Sequence, residues 1–214
     1  MKALILILLL IGETGVGAFY PQGFLPTREK ACFTDPGQQL AFEILPSSRL
    51  SIQGATNVNQ FTCQYCDNLY SYTPKVSISK TGQVVYFKGA QLRVKASTFD
   101  CGIRQMNKDF QDLLKVNKYP YLEMELLSAK LVKGSKTEQG KVVVSCMLNL
   151  AGTQKKISFP LQYTFNDGVL QSYGQAQIKL PDFNIEPPKK MMGLVKVKES
   201  ITVDFDLQLA LRNN

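Results

Sequence analysis

From Ile201 to Leu211 the chain alternates without a break: Ile201, Val203, Phe205, Leu207, Leu209 and Leu211 are apolar, with Thr202, Asp204, Asp206, Gln208 and Ala210 between them. A period of two sends alternate side chains to opposite faces of an extended strand, so one face meets a core and the other is mostly polar. A helix cannot sort these residues that way. The same alternation recurs in Val142, Val144, Cys146, Leu148 and Leu150, in Ile157, Phe159, Leu161 and Tyr163, and in Gly174, Ala176, Ile178 and Leu180. Further strands are predicted at Ala41 to Leu45, Leu50 to Gly54, Phe61 to Tyr65, Val76 to Ser79, Val84 to Lys88, Leu92 to Ser97 and Tyr121 to Val132. Asn166-Asp167-Gly168 joins two of the alternating runs as a tight hairpin, because these residue types accept the positive backbone dihedrals such a turn requires.

One segment departs from this pattern. Between Arg104 and Lys115, Met106, Phe110, Leu113 and Leu114 fall at helical spacing, and Pro120 forbids continuation, so a single short helix is expected. Many antiparallel strands with one helix define an all-β class, a sandwich or a closed barrel. The strand lengths favour the barrel. A strand of ~11 residues rises about 36 Å, and a tilt of roughly 40° makes the wall about 28 Å tall. Such a wall encloses either its own packed side chains or one elongated ligand.

The N-terminus reads differently. Lys2 precedes nine apolar residues, Ala3 to Ile11, and Val16-Gly17-Ala18 supplies the small residues of a signal-peptidase site. Nine residues are too few to span about 30 Å of hydrocarbon, which needs roughly 20, so 1–18 is expected to be a secretory signal peptide. Residues 19–37, with Pro21, Pro26 and Pro36, read as an irregular arm, and 38–214 as one barrel domain.

Composition narrows the chemistry. The 214 residues contain no histidine, which removes the Ser-His-Asp triad, the Cys-His dyad, His-ligated zinc and imidazole acid/base catalysis. No other acid/base constellation converges on a recognisable motif, so the chain is expected not to be an enzyme, and no cofactor or metal is implied. Gly134 to Lys141, GSKTEQGK, has one residue too many for a phosphate loop and Val142 where Ser or Thr is needed, so it is read as a hairpin loop. The net charge of +8 comes from lysines scattered over several loops without interleaved aromatics, which argues against nucleic acid as a partner. It fits approach to an anionic membrane surface and fits plain solubility equally well.

Five cysteines in an exported chain leave at least one unpaired. Cys146 shares the inward phase of Val144 and Leu148, where a free thiol behaves as a small hydrophobe. Cys63-Gln64-Tyr65-Cys66 has redox spacing, but a turn follows it rather than the helix that would lower a thiol pKa, so structural cystines are expected. In an extended strand Cys63 and Cys66 lie about 10 Å apart, beyond the ~7 Å limit between bridged Cα atoms. Two arrangements survive. Strand phase favours Cys63 with Cys101, which leaves Cys32 to tie the arm to Cys66.

Met124, Leu126, Val144, Leu148, Phe159, Leu161, Ile178, Val203 and Phe205 occupy the apolar phase of their strands and are expected to face one interior. Gly174 and Ala176 are small on that phase and leave volume that Leu or Phe would fill. Between Leu180 and Glu199, the stretch PDFNIEPPKKMMGLVKVK reads as a loop at a barrel end. Met191 and Met192 suit a lid adapting to variable chains, with Lys189 and Lys190 meeting anionic head groups; equally, the methionines plug the barrel.

Three segments taken in order resemble the YceI-like family: FQDLLKVNKYPYLEM from Phe110, LNLAGTQKK from Leu148 and GQAQIKLPDFNI from Gly174. The resemblance spans roughly Phe42 to Leu211. Where family members often carry Arg-Asp at the start of the helix, this chain has Met106-Asn107. The resemblance implies an extended, lipocalin-like antiparallel β-barrel in the bacterial periplasm, whose apolar interior holds a polyisoprenoid or similar long-chain amphiphile. The site residues would then be the inward-facing set above, with Ala176, Met191 and Met192. The alternative is a dry-core barrel that binds a protein or surface through its loops.

Overall fold

A computed structural model describes residues 38–67, 69, 75–187, 189–190 and 194–212. The expected signal peptide, the arm, Cys32, Met191 and Met192 lie outside the described residues.

The strands are β1 (Gln38–Ile44), β2 (Arg49–Ala55), β3 (Gln60–Tyr65), β4 (Lys75–Thr81), β5 (Val84–Lys88), β6 (Gln91–Lys95), β7 (Phe99–Asp100), β8 (Tyr121–Leu131), β9 (Gln139–Leu150), β10 (Thr153–Asn166), β11 (Val169–Lys179), β12 (Lys189–Lys190), β13 (Val195–Lys196) and β14 (Ser200–Arg212). The helix α1 spans Arg104–Leu113. All strand pairings are antiparallel.

Five long strands, β8–β9–β10–β11–β14, form one continuous wall. Two sets of short strands complete the barrel behind it, because both outer strands of the wall are shared. The half of β14 from Thr202 to Asp206 pairs with β2, and the half from Leu209 to Arg212 pairs with β1. On the other side, β8 pairs with β6 through Tyr121–Glu125 and with β5 through Ser128–Lys130. A bulge between Leu126 and Ser128 separates these two partnerships. The extra residue resets the inward phase, so Ala129 and Leu131 oppose Val144 and Val142. One half therefore closes as a ring through β14–β1–β4–β5–β8. The other half runs β14–β2–β3–β7 and stops, leaving β7 unpaired with β6 and joined to it only by the 3-10 turn Ala96–Thr98, so the twelve-stranded sheet as a whole is open.

Two hairpins are closed by two-residue turns with both residues at positive φ, Asp167 at 50° with Gly168 at 80° and Ala151 at 49° with Gly152 at 79°. This is the geometry that matches the twist of the flanking strands. The helix stops at Lys115, which sits at φ 52°. Asn107 ties the helix to β7. Its amide nitrogen donates to Asp100 Oδ1 (2.9 Å), and its carbonyl oxygen accepts from the Cys101 backbone N–H (2.6 Å).

The expected bridge from Cys63 to Cys101 is formed. Continuing the register of Gln64 with Asp100 sets the two cysteines opposite each other across β3 and β7. Cys66 is exposed and its thiol is free, and Cys32, its expected partner, lies outside the described residues. Three residues beyond Cys63, Cys66 falls on the opposite phase and points outward.

Candidate functional site: an apolar slot in the barrel

The interior divides into two apolar clusters. A small one, Val76, Ile78 and Val85 with Phe42 and Phe87, fills the half closed by β1, β4 and β5. The larger fills the other half and contains Val144, Phe159, Ala176, Ile178 and Phe205, with Met124, Leu126, Leu148, Leu161 and Val203 packed against it. The nine interior positions expected from strand phase thus meet in one cluster, together with Ala176. Phe159 and Phe205 stack across it with ring centroids 5.3 Å apart and planes 9° from parallel.

Within this cluster lies a slot of about 60 Å³ with a wholly apolar surface. Met124, Leu148, Ala176, Ile178, Val203 and Phe205 line it; Leu126, Val144, Phe159 and Leu161 belong to the surrounding core instead. The strand phase of the C-terminal half did not supply the opposite wall. Leu50 and Ile52 of β2, Leu92 and Val94 of β6, and Phe99 of β7 form it. Period two is present in those short strands as well, so their signal was in the sequence, but which phase faces inward depended on their partners. On the outer side of this wall, Arg93 Nε lies 3.1 Å from Glu123 Oε1, and its guanidinium sits 3.7 Å above the Tyr121 ring, joining β6 to β8.

Gly174 does not contribute empty volume as expected. A Cβ there would sit 2.3 Å from Leu161 Cδ2 and 2.7 Å from the Pro160 carbonyl oxygen, so its neighbour Leu161 already occupies the space. Ala176, almost fully buried, does line the slot. Cys146 is fully buried, and burial pushes its thiol up to about 11, which keeps it neutral and unreactive.

The wall beside the slot is split. Pairing between β10 and β11 runs from Asn166 with Val169 to Leu161 with Gly174 and goes no further. Beyond it, β10 pairs only with β9 and β11 only with β14. The ladder stops next to Pro160, which has no N–H to donate. Ile157 on one lip of this seam and Ala176 and Ile178 on the other all line the slot. The segment after β11 wedges the seam: Leu180, Phe183 and Ile185 are buried, and the Asn184 amide reaches Thr153 Oγ1 at 3.3 Å, on the far lip. Of the expected lid loop, Lys189–Lys190 pairs with Val195–Lys196.

Known proteins place this geometry. Among solved structures, a polyisoprenoid binding domain from Saccharophagus degradans implicated in plant cell wall breakdown is similar with a TM-score of 0.60 at 18% identity, covering 81% of this chain and 99% of that one. BcnA of Burkholderia cenocepacia is similar with a TM-score of 0.57 at 17% identity, covering 76% and 96%. No curated protein matches the sequence. The YceI-like domain matches residues 49–209, which takes in the long wall, the helix and the seam, and on that extent the chain belongs to the YceI-like family.

Proposed function

We propose that the protein binds a long-chain isoprenoid or fatty amphiphile in the barrel interior and carries or sequesters it in the periplasm, without catalysis. The observation that carries this reading is the slot, whose surface is wholly apolar and which abuts an unpaired seam in the wall. Its chemistry suits methylene and methyl groups and offers nothing to a polar ligand. The name of the similar domain from Saccharophagus degradans points the same way.

A volume of about 60 Å³ is that of about two water molecules, far too little for such a chain. Binding therefore widens the slot. Ten buried methylenes supply about 8 kcal/mol gross, enough to offset the displacement of a few packed side chains. The seam is a route that breaks no β-ladder. Lifting the wedge from Leu180 to Ile185 separates Ile157 from Ala176 and Ile178 and opens the slot sideways.

Organic extraction of the purified protein followed by mass spectrometry should yield a stoichiometric long-chain lipid. Protein that is empty and also refuses added geranylgeraniol would overturn the reading in favour of a dry-core interaction module. The route has its own test. In a Cys66→Ser background, Thr153→Cys with Asn184→Cys should form a bridge that blocks loading of geranylgeraniol when oxidised and permits it when reduced. Equal loading in both states removes the seam as the entry.

A further inference from the structure

A second concavity, about 550 Å³, lies outside the barrel at its other end, between the β8–β9 loop and the outer face of β9, β10 and β11. Its floor is a grid fixed by strand register. One row is Lys141, Gln162 and Tyr173, and the next is Gln139, Thr164 and Gln171. Lys133 and Lys136 of the loop complete the rim. The lining therefore contains three lysines and no carboxylate. Two carboxylates border it without lining it: Glu138 in the loop, and Asp206, the register partner of Tyr173.

The loop is held in place by its own polar contacts. Ser135 Oγ donates to the Lys141 carbonyl at 2.9 Å and accepts from the Lys141 N–H at 3.0 Å. The Tyr163 hydroxyl donates to the Lys136 carbonyl at 2.6 Å, and the Phe165 N–H donates to the Glu138 carbonyl at 2.6 Å. The space between Ser135 and Gly140 is so close that a Cβ on Gly140 would lie 2.5 Å from the Ser135 Cβ. The cleft is thus preorganised, and a ligand need not order it.

We propose that this cleft is a binding site for an anionic saccharide, one carrying carboxylate, sulfate or phosphate groups. Tyr173, 51% exposed on a β-strand, offers an aromatic face to the C–H face of a sugar ring. Gln162, Gln171 and Gln139 each bring both a donor and an acceptor, and strands about 4.8 Å apart space them to meet successive hydroxyls. The lysines on the rim select acidic sugars over neutral ones. Such a site is independent of the apolar slot and does not rest on the lipid-binding reading.

Isothermal titration of the full chain with trigalacturonate should show binding that maltotriose lacks. Tyr173→Ala, and Lys136→Gln with Lys141→Gln, should each weaken it about tenfold, the scale of a few exposed contacts, while thermal unfolding stays unchanged. Flotation with vesicles bearing a sialylated glycolipid separates the two sources of the chemistry: binding there but not to free trigalacturonate assigns a lipid-borne saccharide. Absence of binding in both formats overturns the proposal, as does binding that Tyr173→Ala leaves untouched or that plain anionic phospholipid vesicles reproduce.

Discussion

The Tyr119 ring lies where a side chain on Gly152 would have to go: a Cβ at Gly152 would sit 2.4 Å from Tyr119 Cζ. Lys-Tyr-Pro after the helix and Ala-Gly between β9 and β10 are therefore two halves of one contact, although they are far apart in sequence. Gly152→Ala should cost about 2–4 kcal/mol, combining strain at φ 79° with displacement of the ring. Gly168→Ala is the control, since Gly168 has nearly the same φ, 80°, and nothing within 4 Å of its Cβ position. It should cost only about 1–2 kcal/mol. Equal losses in chemical denaturation of the two variants would show that Tyr119 does not matter.

Ala176→Phe should abolish lipid loading while lowering stability by about 1–3 kcal/mol, because the ring fills the slot and overpacks its rim. Denaturant titration and lipid mass spectrometry on the same variant decide this. A fully loaded Ala176→Phe protein would place the ligand elsewhere.

The thiols should differ sharply. Cys66 is exposed and should react with iodoacetamide in the native protein, whereas Cys146, buried and with its thiol pushed up to about 11, should react only after unfolding. Mass spectrometry of alkylated native protein checks both. Replacing Cys63 and Cys101 by serine opens a loop of 38 residues, which should cost about 4 kcal/mol by the chain-entropy relation.

Asp100 is held below the usual carboxylate range by hydrogen bonds from the Asn107 amide and then the Gly102 N–H. A depressed folded-state pKa adds stability that is present above the unfolded value and is lost as pH falls through the folded one. Asn107→Ala should raise the Asp100 midpoint toward that of a free aspartate in an NMR titration and shrink the acid-side loss of stability that this group contributes. An unchanged midpoint would mean that the Asn107 contact is absent in solution.

Sequence alone located the longer elements, because the period of two is local: each alternating run carries its own two faces, and Asn166-Asp167-Gly168 carries its own turn; the two-residue strands β7, β12 and β13 are too short to show a period. The helix was legible from Met106, Phe110, Leu113 and Leu114, and nine inward positions of the slot's cluster followed from strand phase. Pairing is not local. Nothing in the run from Ile201 to Leu211 says that one half joins β2 and the other β1, and nothing in Pro160 says how far the β10–β11 ladder reaches before it ends. The volume beside Gly174 looked free in sequence because occupancy belongs to the neighbour, and only the register that sets Leu161 opposite Gly174 shows it filled. Likewise, the outer cleft joins residues of three strands and a loop whose side chains are ordinary one by one. Their chemistry arises from adjacency across the sheet, which tertiary pairing alone decides.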